Sequence, residues 1–223
     1  MLAIVLAAFF AAAPVSPLES ARDRQDRAAL EKLAAEAGAA AAKAGNDAAV
    51  QHRAALAYSY VSEVSIELRD RKAGRQFAEQ GMKFGEKAVA LKPENAESYR
   101  VLATLYGQAV TDLMSGFSYG PKAKEAINKA VEKAPKSSMM YVGRGVGNYY
   151  LPAQLGGGAK GAIPDFRKAI ELDPQNAEAY LWLGLSLRKE GRDADARQAF
   201  TKALELNPNR AWTKQQLDKT PAK

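Results

Sequence analysis

The sequence predicts an all-α fold: a right-handed α-solenoid of about four helix pairs, preceded by an N-terminal helix and closed by a C-terminal capping helix. Three observations predict it. Four prolines, Pro93, Pro135, Pro174 and Pro208, each stand five residues after an alanine (Ala88, Ala130, Ala169 and Ala203). Twelve residues before each proline is a small residue (Gly81, Ala123, Ala162, Ala196), and six residues after the first three is a tyrosine (Tyr99, Tyr141, Tyr180). The prolines are 42, 39 and 34 residues apart, about the length of a helix pair. Small residues let two antiparallel helices approach closely, the tyrosine fills the space between neighbouring pairs, and proline ends the second helix of each pair.

Taken in order, residues 1–16 read as an export signal. Leu2–Ala13 is an unbroken apolar run, long enough for a signal-peptide core and too short to span a bilayer. Ala11 and Ala13 give a small-residue cleavage pattern, and Pro14 and Pro17 prevent the run from joining the next helix. The expected location is therefore periplasmic or secreted, with no integral membrane span once the signal is removed. Residues 17–45 form an N-terminal helix and linker, with Ser16 as cap, Pro17 at the first helical position and Gly45-Asn46 as stop. Its large apolar side chains are Leu18, Leu30 and Leu33, so thin a stripe that loose docking is expected. The solenoid occupies 46–219, as pairs 46–70 with 72–91, 95–114 with 121–134, 137–151 with 159–172 and 176–190 with 193–206. A cap at 209–219 follows, in which Trp212 and Leu217 cover the last repeat, and 220–223 is a tail.

Composition narrows the function classes. With 47% hydrophobic and 26% charged residues the chain carries enough apolar mass to fold. It has no cysteine, which excludes disulfides, thiolate metal sites, thiol nucleophiles and lipid attachment through an N-terminal cysteine. The single histidine, His52, has no convergent partners for metal or triad chemistry and receives no role. Gly156-Gly157-Gly158 lacks the preceding strand and the Lys-Ser/Thr pair of a phosphate loop, and Gly143, Gly145 and Gly147 read as close helix packing. No enzyme, cofactor or metal site is expected. The net charge of +7 divides into about −2 on residues 1–70 and about +9 on 71–223. Lys122, Lys124, Lys129 and Lys133 alternate with Glu125 and Glu132 at helical spacing, which describes a solvated helix face rather than a nucleic-acid site.

The last repeat reads Tyr180-x2-Leu183-Gly184-x2-Leu187, then Ala196-x3-Phe200-x2-Ala203, then Pro208. Over 176–208 the chain resembles the tetratricopeptide-repeat superfamily strongly. The match is good over 121–174 and weaker over 46–93, where Gly85 replaces the usual larger residue. The long first pair, the inserted loops and the Leu-Gly-Gly segment look like those of exported bacterial repeat proteins. The resemblance implies that the first helix of each pair lines a concave groove. Arg100, Thr104, Met139, Val142, Val146, Leu181, Trp182 and Leu185 would then form its partner-binding row. The Lys/Asn clamp by which some family members hold a chaperone carboxylate is not present, since Glu178 and Trp182 stand where cations are needed.

So apolar a row must be covered, either by the protein itself or by a partner's amphipathic helix. A second surface is expected at the insertions Met114–Gly120 and Leu151–Gly158, where Phe117, Tyr119, Tyr150, Leu151 and Leu155 either bind a partner or pack on each other. The expected function is a non-enzymatic protein- or peptide-binding scaffold acting outside the cytoplasm, in cell-envelope assembly or complex recruitment. The alternative is an accessory ligand-binding or transporter-associated protein with an apolar cavity.

Overall fold

The computed structural model describes residues 16–222, so the expected export segment lies outside the described residues apart from Ser16. Those residues form eleven α-helices and no strand. The chain opens with α1 (Pro17–Asp23) and α2 (Arg27–Lys43). Four antiparallel pairs follow: α3 (Ala48–Glu67) with α4 (Arg71–Leu91), α5 (Ala96–Gln108) with α6 (Leu113–Lys133), α7 (Ser138–Tyr150) with α8 (Gly158–Leu172), and α9 (Ala177–Lys189) with α10 (Asp193–Leu206). The cap α11 spans Ala211–Asp218.

Local chemistry places the helix starts. Asp47, Asp70, Asn95, Asp112 and Asn176 each accept a backbone N–H of the first turn that would otherwise lack a partner. Consecutive first helices touch, α3 with α5, α5 with α7 and α7 with α9, whereas each second helix touches the first helix of the next pair. The first helices therefore form the inner, concave layer and the second helices the outer one.

The repeat register read from the prolines is the packing register. Ala88, Ala130, Ala169 and Ala203 are all at most 1% exposed, and Ala162 and Ala196 are fully buried. Gly145 and Gly184 do the same work between first and second helices: a Cβ on either would meet the ring of Phe166 or Phe200 within 2.6 Å. Both phenylalanines are completely buried, and truncating either to alanine would cost about 3–5 kcal/mol.

Three expectations are corrected. The helix expected over 17–44 is two helices, because Gln25 takes a left-handed conformation (φ 55°) and turns the chain between them. Its docking is also close rather than loose, since Leu30, Ala34 and Ala41 are buried and Ala34 packs with Val61 and Val64 of α3. Third, the insertion 114–120 is helical. The first helix of that pair stops at Gln108, and α6 begins at Leu113 through a reciprocal cap between Asp112 and Ser115. Gly116, Gly120 and Pro121 are carried inside α6, so Phe117 and Tyr119 sit on a helix. The second insertion is a loop as expected, with a short 3-10 turn over Ala153–Leu155.

Candidate functional site

The expected groove row divides. Val142, Leu181 and Leu185 are buried, not open groove surface: Leu181 and Leu185, three and seven residues after Glu178 and so on its side of α9, belong to the core cluster of Ala196, Ala199 and Phe200, against which Trp182 and Trp212 pack, and Val142 packs with Ala169 and Ala179. The guanidinium of Arg100 is held by Glu97, donating from Nε at 2.9 Å and from Nη2 at 2.5 Å, so it is not free to take a partner's carboxylate. Thr104 donates locally to the Arg100 carbonyl. Met139 and Val146 are half-buried against neighbouring helices. His52 is half-buried, with Nδ1 3.2 Å from the Ser98 hydroxyl, and burial lowers its pKa.

The concave face is closed by the chain's own ends. Arg210 stands in the turn before α11, and its side chain is 2% exposed. It donates to Glu63 at 2.5 Å, to Glu67, and to Glu178 at 3.3 Å, spanning from the last repeat back to α3. Arg22 of α1 pairs with Glu178 at 3.3 Å and with Asp23 at 2.7 Å. Asn207 donates to Asp23, Gln215 donates to Gln25, and Gln25 donates to Glu67, each at 2.8 Å. Four carboxylates and two guanidiniums thus meet where α1, α3, α9 and the α10–α11 turn converge, and the solenoid curls until its ends touch.

Two negative charges remain in excess within this cluster. Desolvation raises the Glu63 carboxyl, against the pull of Arg210 and Arg22 and with the push of Glu67 and Glu178, to about 7. The neighbourhood therefore holds a proton near neutrality in a carboxyl that an open groove would leave ionised.

Beside the cluster lies an aromatic group. Trp182 meets Tyr149, Tyr150 and Trp212 edge-on, with ring centroids 5.6, 6.0 and 5.5 Å away, and stacks on Phe166 at 6.3 Å. Arg210 lies over the Trp212 ring at 5.6 Å and so joins the two groups. Tyr150 is the outermost member, 63% exposed at the end of α7.

The expected loop edge is also divided. Tyr119 is half-buried and stacks on Tyr106 at 6.2 Å, Leu151 is half-buried, and Phe117, Tyr150 and Leu155 are exposed. A hollow of about 520 Å³ lies beside the second loop, lined among others by Tyr149, Tyr150, Leu151, Lys160, Lys189 and Glu190. It is open and of mixed polarity, which suits an enclosed apolar ligand poorly.

Sequence reasoning named Trp182 for the groove row, Tyr150 for the loop edge and Glu178 only as standing where a cation would be needed; it did not name Arg22, Asp23, Glu63, Glu67 or Arg210. One signal was present: Glu63 and Glu67 are two carboxylates one turn apart on α3, with no basic residue beside them on that helix.

The family model described as regulator of microtubule dynamics protein 1-3 matches residues 15–151, and a tetratricopeptide-repeat model matches residues 156–211. The small glutamine-rich tetratricopeptide repeat-containing protein 2 of Mycosarcoma maydis is 33% identical over 104 residues, which are 47% of this chain. The chain spans only 28% of the length of that relative. A tetratricopeptide protein of Thermus thermophilus superposes with a TM-score of 0.55 at 20% identity, covering 84% of this chain and 98% of its own. The HusA haemophore of Porphyromonas gingivalis superposes with a TM-score of 0.53 at 20% identity, covering 87% and 86%. At such identities the two structures speak for the fold alone. The chain is a tetratricopeptide-repeat solenoid and belongs to the family described as regulator of microtubule dynamics protein 1-3.

Proposed function

We propose that this chain is a non-enzymatic scaffold that recruits a protein or peptide partner at the mouth of its concave face. The observation that carries this reading is the aromatic group ending in Tyr150. A solvent-exposed tyrosine backed edge-on by Trp182 is a rigid anchor of the kind that dominates protein interfaces. The repeat fold supports protein partners in general, and the closed concavity directs them to the mouth rather than the interior. A setting outside the cytoplasm, in assembly at the cell envelope, is supported by the apolar run Leu2–Ala13.

A second setting is supported by the family match over 15–151: action on microtubule dynamics, as the family's description has it. The two settings part on the N-terminus. Mass spectrometry of the protein recovered from its own cells, starting beyond residue 13, favours export, and an intact Met1 on an intracellular pool favours the second.

The mouth itself is tested by quantitative affinity capture with wild type and Tyr150→Ala. Because Tyr150 is mostly exposed, the variant should fold normally and lose its partner at least about tenfold. Equal capture by both proteins would place the partner elsewhere.

A further inference from the structure

Seven large apolar side chains stand exposed among the described residues, and six of them share one edge: Leu68, Leu113, Met114, Phe117, Tyr150 and Leu155. That edge is formed by the corners joining the two helices within each pair. Leu68 ends α3. Leu113, Met114 and Phe117 occupy the first two turns of α6 and are 74%, 74% and 70% exposed. Tyr150 ends α7, and Leu155 lies in the loop before α8. The first two corners are in direct contact, since Arg75 of α4 donates to Thr111 at 3.1 Å and Tyr119 of α6 lies 3.4 Å from Glu79.

Cations surround this apolar row. Arg69, Arg71, Lys72, Lys160 and Lys189 are exposed at the same corners. Against them stand Asp70, held by Arg27 at 2.9 Å, Asp112, which caps α6 and faces Arg75, and Glu190 with Asp193 in the last corner. Asp70 and Asp112, beside Leu68 and Leu113, are thus already engaged, Glu190 and Asp193 have no cation paired with them among the described residues, and the five cations outnumber the four carboxylates by one.

We propose that this edge docks on an anionic lipid surface, with Leu113, Met114 and Phe117 entering the interfacial layer and Arg69, Arg71 and Lys72 meeting lipid phosphates. Two features favour a bilayer over an acidic polypeptide. Leu113, Met114 and Phe117 project from the first two turns of α6 with 70–74% of their surface exposed, a shape that a fluid partner accommodates and a folded one must match with pockets. Their spacing among basic residues is the pattern of interfacial protein surfaces, in which apolar insertion and attraction to anionic headgroups act together. The closed concave face takes no part.

The test is flotation of the full chain with vesicles of phosphatidylcholine alone and with about 30 mol% phosphatidylserine, at low and high salt. Two double variants separate the contributions: Met114→Ser with Phe117→Ser, and Arg71→Glu with Lys72→Glu. The expected result is binding to the anionic vesicles that salt weakens, and that each double variant lowers at least about tenfold with circular dichroism unchanged. Failure to bind anionic vesicles overturns the proposal. So does binding that both variants retain, which would assign it to another part of the chain such as residues 1–15. Capture by soluble polyglutamate that is as strong as vesicle binding and insensitive to the Met114/Phe117 change would make the edge a site for acidic polypeptides instead.

Discussion

The concave face and the corner edge differ in what satisfies them. On the concave side the groups that water would ordinarily solvate, four carboxylates and two guanidiniums, are bonded to each other between residues 22 and 210. On the edge the groups that a core would ordinarily bury stand in solvent. Each region inverts the usual rule. Superhelical curvature, rather than side-chain character, therefore decides which surface of this repeat array is free. The inside is used up by the chain itself, and surplus apolar mass is carried to the rim.

The largest effect is expected from removing Arg210. Arg210→Ala leaves Glu67, itself almost fully buried, without its cation, while Glu178 keeps Arg22, and uncompensated buried charge of this kind costs about 3–5 kcal/mol. Chemical denaturation should show that loss, and small-angle scattering should show the ends moving apart. An unchanged midpoint together with an unchanged radius of gyration would mean that the polar ties do not hold the ring.

A smaller effect is expected from pH. Glu63 titrates near 7 in the folded protein and near its ordinary value when unfolded, so between those points the folded form keeps a proton that the unfolded chain releases. Unfolding therefore becomes easier as pH rises from about 5 to 8, by an amount on the order of 1–3 kcal/mol for this group. Glu63→Gln should flatten that part of the profile. A parallel profile in the variant would assign the proton to another group.

The smallest effect belongs to the edge. Leu113→Ser with Phe117→Ser removes two large apolar side chains, yet stability should change by less than about 0.5 kcal/mol because neither is buried. A loss of a kilocalorie or more in thermal melts would show that the edge contributes to the core and is not a free surface.

How much of this was legible in the sequence follows from the range over which each feature is encoded. The alanines before Pro93, Pro135, Pro174 and Pro208 report contacts between helices adjacent in sequence, and periodicity shows those directly. The burial of Leu181 and Leu185 was not legible, because a groove position and a core position carry the same apolar character until the curvature of the array is known. The start of α6 was hidden by Gly116, Gly120 and Pro121, while the Asp112/Ser115 cap that outweighs them is a four-residue signal in an apparent loop. The Arg210 cluster was beyond reach for a different reason. Its partners lie 143 and 147 residues away, and they meet only through rotation accumulated over four helix pairs.

The ring closure changes what kind of polymer this is. A linear repeat array frays from its two termini, since each end unit has a neighbour on one side only. Here the last turn and the first helix are neighbours as well, through Asn207 with Asp23 and Gln215 with Gln25. Within the described residues the two ends of the array are therefore coupled by side-chain bonds, and loosening of α11 would be transmitted to α1 and α3 directly, without passing through the repeats between them.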